Sequence, residues 1–129
     1  MKVLIACEFS GTVRDAFTRN GHFATSCDLL PSETPGAHLQ CDIKEVDLSQ
    51  YDLLIAHPPC TFLCSAGARW WKDRLEAQEA AINFFLWFTK LNIPRSIENP
   101  IGKMSTEYRK PDQIIHPWKF GDDASKATC

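Results

Sequence analysis

Pro58-Pro59-Cys60 places a thiol directly behind two prolines. The rings fix φ at both residues that precede the cysteine and hold the chain open where the thiol is presented. A thiol in such a turn becomes a nucleophile when local dipoles or positive charge stabilise its thiolate. A cysteine there also serves as small apolar filler, and position alone does not choose between the two. Glu98-Asn99-Pro100 is the second candidate. Its carboxyl group, held by a turn, could face a ring bound over Cys60, or it could be a structural or capping acid.

Other residues carry weaker signals. His57, Cys60 and Cys64 are close enough in sequence to suggest zinc, but no second C-x-x-C pair and no H-x-x-x-H follows, so no metal is expected. His57 and His116 are titratable near neutrality, though a lone histidine is more often a packing residue than a proton carrier. Arg69-Trp70-Trp71 joins a cation to two aromatics, as single-stranded nucleic-acid sites do. Aromatics beside a strong helix start also pack into cores. Arg109-Lys110 reads as a solvated turn with the option of a phosphate contact.

The elements that must position these groups follow from the apolar pattern. Lys2 to Cys7 is predicted to be a short buried strand, followed by a Ser10-Gly11 turn and a helix from Thr12 to Arg19 that Asn20-Gly21 closes. His22 to Cys27 is expected as a second strand, residues 30 to 37 as a loop, Leu39 to Cys41 as a weak third strand and Tyr51 to Ala56 as a fourth. Asp73 to Leu91 carries Leu75, Ala80, Phe84, Trp87, Phe88 and Leu91 near helical spacing, with Arg74, Gln78 and Glu79 on the other side. Ser96-Ile97 would be a fifth strand. Strands alternating with helices predict a doubly wound, mostly parallel sheet with right-handed crossovers. Ligands bind such sheets beyond the carboxyl ends of the strands. Here those ends carry Cys7 to Gly11, Asp28, Asp42, Pro58 to Cys60 and Glu98-Asn99.

Composition sets bounds on this reading. The chain has 129 residues, 44% hydrophobic and 23% charged, which is ordinary for one folded domain. The apolar start Val3 to Ala6 runs straight into Cys7-Glu8, too short for a signal peptide, and the apolar stretch Ala80 to Leu91 contains Asn83 and Lys90 and is too short for a bilayer. No membrane association is expected, and the expected compartment is the cytoplasm. Six cysteines without a secretion signal are read as reduced thiols. The net charge of −2 divides unevenly: residues 1–64 hold four Lys/Arg against eight Asp/Glu, and residues 65–129 hold ten against eight. A protein that grips duplex DNA usually shows a strongly basic surface, so any grip on nucleic acid should be weak or come from elsewhere.

Taken in order, these segments resemble a known family. Pro58-Pro59-Cys60, continuing through Ser65-Ala66-Gly67, resembles the nucleophile motif of cytosine-5 DNA methyltransferases, and Glu98-Asn99-Pro100 resembles that family's Glu-Asn-Val motif. Leu4 to Phe17 looks like its first motif, Asp28 corresponds to the acid after the second strand, and Asp42-Ile43 resembles the third motif. The resemblance covers residues 1 to about 102. It implies a Rossmann-like, S-adenosylmethionine-dependent methyltransferase fold, with Cys60 as nucleophile and Glu98 and Asn99 completing the catalytic set. It implies a methyl donor held by Glu8, Phe9, Ser10, Gly11, Asp28, Leu29, Asp42, Ile43 and Pro58, and a cytosine contacted by Pro59, Ser65 and Arg69. The implied substrate is DNA or a free cytosine nucleotide; a non-enzymatic phage-type interaction protein that retains the fold is the alternative. The chain departs from the family at Glu8 to Thr12, which holds one glycine, and at Thr61, where the family usually has glutamine. The large target-recognition domain has no counterpart, so a protein partner or homo-oligomer is expected to replace it. Gln113 to Cys129 resembles the tail of short phage-encoded members, with host-cell cytoplasm as the implied location and a last strand expected to be missing.

Overall fold

The computed structural model describes residues 1–64, 74–123 and 126–129. Ser65-Ala66-Gly67 and Arg69-Trp70-Trp71, and with them the substrate contacts expected of Ser65 and Arg69, lie outside the described residues. Five short strands form one sheet: β1 (Lys2–Ala6), β2 (Phe23–Asp28), β3 (His38–Gln40), β4 (Leu53–Ala56) and β5 (Arg95–Ile97). Their order is β3-β2-β1-β4-β5 and they run parallel. The order reverses between β1 and β4, which makes the end of β1 a topological switch point. This is an α/β fold compatible with Rossmann-like architecture. Among the described residues no helix is long and apolar enough to cross a membrane.

The chain divides into two compact units, Met1–His57 with Leu91–Ser96, and Pro58–Lys90 with Ile97–Cys129. In the first, helix α1 (Thr12–Arg19) connects β1 to β2. Val3, Ile5 and Ala24 are buried there, with Val13 and Phe17 of the helix and Leu53 and Ile55 of β4 packed against them. Continuous Val-Leu-Ile in β1 is what a strand covered on both faces requires. The helix ends as its sequence predicts: Asn20 donates its side-chain amide to the Ala16 carbonyl at 2.8 Å, and Gly21 takes the left-handed φ of 83°.

The second unit holds α2 (Leu75–Thr89) and the one-turn α3 (Met104–Glu107). Its core gathers Leu63, Phe85 and Met104, with Ala81, Ile82, Leu86 and Ile97 around them. The expected inward face of α2 needs correction. Leu75 is 65% exposed and Ala80 is also exposed, whereas Gln78, expected outside, is buried and donates Nε2–H to the Phe62 carbonyl at 2.9 Å. Nearly every residue from Ala80 to Phe88 is apolar, so periodicity alone leaves the rotation of this helix undecided. The inward stripe is Gln78, Ala81, Ile82, Phe85 and Phe88.

Strand ends also shift. β1 stops at Ala6, so Cys7 lies outside it; β2 begins at Phe23 and includes Asp28; β3 is His38–Gln40, which leaves Cys41 in the bend beyond; β4 begins at Leu53; and β5 begins at Arg95.

Candidate functional site

The end of β1 is shaped by two unusual backbone positions. Cys7 adopts a left-handed φ of 59°, a conformation rare for a side-chain-bearing residue and costing roughly 1–3 kcal/mol. Glu8 is buried, and its carboxylate accepts the Val13 amide at 2.6 Å through Oε1 and the Arg14 amide at 3.2 Å through Oε2. Those amides are orphan donors of the α1 N-terminus, where partial positive charge favours an anion. Gly11, the residue before the helix, has φ 78° and makes no side-chain cap bond, so Glu8 serves as the cap from three residues upstream.

Arg14 then fastens the neighbouring loop. It is 1% exposed. Its Nε donates to Asp15 at 2.8 Å, Nη1 to the hydroxyls of Ser26 (3.2 Å) and Ser32 (3.0 Å), and Nη2 to Thr34 Oγ1 (2.7 Å) and the Pro35 carbonyl (3.1 Å). The Arg14 hydrogen bond, joined by its charge, holds the Asp15 carboxyl below the usual carboxylate range. The Glu33 amide donates to the Phe9 carbonyl at 2.8 Å, which closes the loop on the turn. A side chain at Gly11 would collide with Thr34 Oγ1 and the guanidinium, so this position requires glycine for space as well as for φ. Sequence reasoning missed Arg14; a lone arginine on an amphipathic helix carries no signal that it points inward.

Beside this turn lies an open cavity of about 200 Å³ lined by Cys7, Glu8, Phe9, Ser10, Thr12, Val13 and His57. Three expected donor-binding residues, Glu8, Phe9 and Ser10, line it. Gly11 is buried beneath Arg14 and Thr34, and Asp28, Leu29, Asp42 and Ile43 lie off the cavity wall. Asp28 and Asp42 nevertheless flank its floor electrostatically. Burial first, then those two carboxylates, push the Cys7 thiol up to about 12. Each acid uses one oxygen locally: Asp28 Oδ1 accepts the Leu30 amide at 2.9 Å and Asp42 Oδ1 accepts the Lys44 amide at 3.0 Å. The second oxygen of each has no hydrogen-bond partner among the described residues. Leu29 is 70% exposed and Ile43 is buried. Two acids with a spare oxygen each, at one sheet edge, fit the hydroxyl and amino groups of a nucleoside.

In the second unit, Cys60 sits half-buried at the start of a tight turn whose carbonyl accepts the amides of Leu63 (2.9 Å) and Cys64 (3.0 Å). Pro58 is buried, Pro59 exposed. The Asn99 side chain donates Nδ2–H to the Pro58 carbonyl at 2.8 Å, a buried bond that ties the Glu98-Asn99 segment to the Pro-Pro-Cys turn. A second tie runs through an antiparallel bridge between Cys64 and Gly102 and a 2.7 Å bond from the Lys103 amide to the Leu63 carbonyl. A side chain at Gly102 would meet that carbonyl, so the two segments approach this closely because the residue is glycine. Asn99 Oδ1 is buried without a hydrogen-bond partner among the described residues.

The chain terminus completes this region. Thr128 bridges both Pro100 and Ile115, and Asn99 exchanges backbone hydrogen bonds with Cys129 at 3.1 and 3.0 Å. The Thr128 hydroxyl donates to Glu98 Oε1. Lys126 brings Nζ to 3.6 Å from Cys60 Sγ. Neither Lys126 nor Thr128 was expected at the site, because nothing in a C-terminal lysine or threonine marks it as a neighbour of residues 60 and 98. Of the remaining candidates, Arg109 is exposed and held by a two-pronged pair with Asp112 (2.8 and 2.6 Å), as suits the solvated turn expected there. His116 stacks obliquely near Trp118 at 6.2 Å. Among the described residues no cluster of His, Cys, Asp or Glu is arranged to hold a metal ion. All six cysteines are free thiols. The chain matches no protein-family model, no curated protein and no solved structure.

Proposed function

We propose that the chain is an S-adenosylmethionine-dependent cytosine-5 methyltransferase-like protein, with a Rossmann-like fold, acting on cytosine in nucleic acid or in a nucleotide. The observation that carries this reading is the buried bond from Asn99 to the Pro58 carbonyl. It joins the two segments whose residue types suit addition to a pyrimidine ring, although 38 positions separate Cys60 from Glu98.

The roles follow from the chemistry. Cys60 as thiolate adds to carbon 6 of the ring, while Glu98 hydrogen-bonds at nitrogen 3 and accommodates the charge that develops there. Carbon 5 then takes the methyl group, its proton leaves to a base, and the sulfur–carbon bond breaks to release the product. Splitting the reaction through a covalent adduct matters because an unactivated cytosine carbon is a poor nucleophile. Lys126 at 3.6 Å offers a cation to the sulfur, and Thr128 orients Glu98. Asn99 is a positioning residue that sets the Pro-Pro-Cys turn. S-adenosylmethionine supplies the electrophilic methyl group when bound. Asp28 would accept ribose hydroxyls and Asp42 the adenine amino group through their spare oxygens; Phe9 and Leu29 offer apolar surface, and Ser10 a hydroxyl. Glu8 keeps the helix terminus occupied, so it shapes the wall rather than receiving an anionic group there.

The test uses a 5-fluorocytosine substrate with methyl donor, because fluorine at carbon 5 blocks the final elimination and traps the adduct. Single-stranded DNA, duplex DNA and the free nucleotide are run in parallel. A mass increase at Cys60 on any of them, lost in Cys60→Ser with donor binding kept, is the expected result. No adduct on any of the three overturns the enzyme and leaves an interaction protein.

A further inference from the structure

The turn between Ile115 and Thr128 carries two large aromatics that the reaction does not use. Trp118 is 58% exposed and Phe120 is 79% exposed, both on the single 3-10 turn Pro117–Phe120. Folding normally hides such side chains, and a tryptophan and a phenylalanine two residues apart in water invite a partner. The chemistry around them says which kind. Lys119 lies between them in sequence, with Nζ 5.5 Å from the Trp118 ring centre, and His116 packs 6.2 Å from the same indole. Neither Lys119 nor Lys126 is paired with a carboxylate among the described residues, while Lys103 and Arg109 nearby in sequence are paired. Two exposed rings on either side of Lys119 suit two stacked bases with a phosphate between them, and Asp122 and Asp123 follow on the same loop.

The placement of this turn gives it a purpose. Ile115 and Thr128 pair in both directions, at 2.7 and 2.9 Å, so residues 115 and 128 are the two feet of one loop. The foot at Thr128 bonds Glu98, and Lys126, two residues earlier, reaches Cys60. The segment that displays Trp118 and Phe120 is thus the same segment that contacts both residues assigned to the base.

We infer that this loop is a stacking platform for a single-stranded nucleic acid, with flanking bases lying on Trp118 and Phe120 and a phosphate meeting Lys119, and that it delivers an unpaired cytosine to Cys60. The inference deepens the proposed methyltransferase reading by naming the form of its substrate. Single-stranded DNA and RNA share the chemistry invoked, and both are tested. A platform of two rings and one lysine also suits a chain of net charge −2, which lacks the basic surface that duplex binding needs.

Fluorescence anisotropy of labelled twelve-residue oligonucleotides, DNA and RNA, single-stranded and duplex, reads binding without any need for catalysis. The intact chain is expected to prefer single strands, and the Trp118→Ala/Phe120→Ala variant to weaken that binding about tenfold or more, since each stacked base is worth a factor of roughly 5 to 150. Lys119→Glu should weaken it at low salt and flatten its salt dependence. Because Trp118 and Phe120 are exposed, the aromatic variant should keep its fold by circular dichroism and its adduct with a free 5-fluorocytosine nucleotide. Equal affinity of the variant for single strands overturns the platform, as does a preference of the intact chain for duplex. A variant that loses self-association and keeps oligonucleotide affinity also overturns it, by showing a protein interface instead. Single-strand binding that depends on the two rings, with no adduct on any substrate, upholds the platform and sinks the methyltransferase reading alone.

Discussion

After β1 the chain turns on a buried carboxylate and a buried guanidinium, and each finds its hydrogen-bond partners within the same unit. After Pro59 it turns on a half-buried thiol held by a few ties: Asn99 to Pro58, Gln78 to Phe62 and Lys103 to Leu63. The first turn has nearly all its buried polar capacity engaged. The second keeps one buried acceptor unspent, Asn99 Oδ1, which has no partner among the described residues. A turn of the first kind supplies shape, because its groups are already committed to partners within the protein. On the proposed reading, a turn of the second kind serves the reaction, because a reacting group can still change partners there. On this comparison, substitutions after β1 act first on stability or ligand fit, and substitutions after Pro59 act first on reactivity.

The largest stability effect should come from Arg14. Arg14→Leu removes a buried charge together with its bonds to Ser26, Ser32, Thr34 and Pro35, and leaves those groups and Asp15 to find other partners. A loss of about 3 kcal/mol is expected, read as a lower urea midpoint at unchanged slope. Arg14→Lys should recover only part of it, because an ammonium cannot reproduce the guanidinium fork. Asn99→Ala, which removes one buried bond, should cost about 1–2 kcal/mol. If Asn99→Ala proves the more damaging of the two, the division of labour between the turns is wrong.

How much of this could be read from the chain depends on whether the signal was local. Thr12–Arg19 was legible because its apolar stripe, its preceding Ser10-Gly11 turn and its Asn20-Gly21 stop all lie within twelve residues. The parallel sheet was legible as a class, since alternating strands and helices demand one, although strand ends moved by one or two residues. Of the motif segments, the structure brings Pro58 and Asn99 into one bond. What stayed hidden was long-range partnership. Arg14 reaches residues 26 to 35, Lys126 reaches residue 60 and Thr128 reaches residue 98, and no spacing rule encodes such pairs. The rotation of α2 was hidden for the opposite reason: its signal was local but too uniform, with apolar side chains on every face.

A smaller effect is expected at the acid after β2. Asp28→Ala should weaken binding of S-adenosylmethionine or S-adenosylhomocysteine by roughly 1.5–3 kcal/mol if the spare Oδ2 accepts ribose hydroxyls. Calorimetric titration measures it. Because Oδ1 also holds the Leu30 amide, Asp28→Asn is the sharper variant: it retains that acceptor and removes the charge. Loss of affinity in both variants places the acid at the ligand, whereas unchanged affinity in both, with the fold intact, removes Asp28 from the donor site and leaves it a turn residue.

The smallest and most direct contrast is between thiols. Cys27 is buried in β2, 4.0 Å from Cys41 sulfur to sulfur, and burial followed by that neighbour pushes it up to about 12; Cys7 is raised to about 12 by burial and the two acids. Alkylation requires thiolate, so both should react slowly at neutral pH, while Cys60, half-buried with a lysine at 3.6 Å, should be labelled first in a timed iodoacetamide experiment read by peptide mass. The same shifts set an alkaline limb of stability. The unfolded chain releases these two protons near the ordinary 9.0 and the folded chain near 12, so the unfolded state binds fewer protons throughout that interval. The contribution of Cys7 and Cys27 is therefore complete below about pH 9 and drains away as pH climbs toward 12. Urea midpoints measured from pH 8 to 11 should fall, and a Cys7→Ala/Cys27→Ala variant should show a flatter fall. Labelling of Cys7 ahead of Cys60 at pH 7 would break the comparison at its root, because the thiol of the committed turn would then be the reactive one.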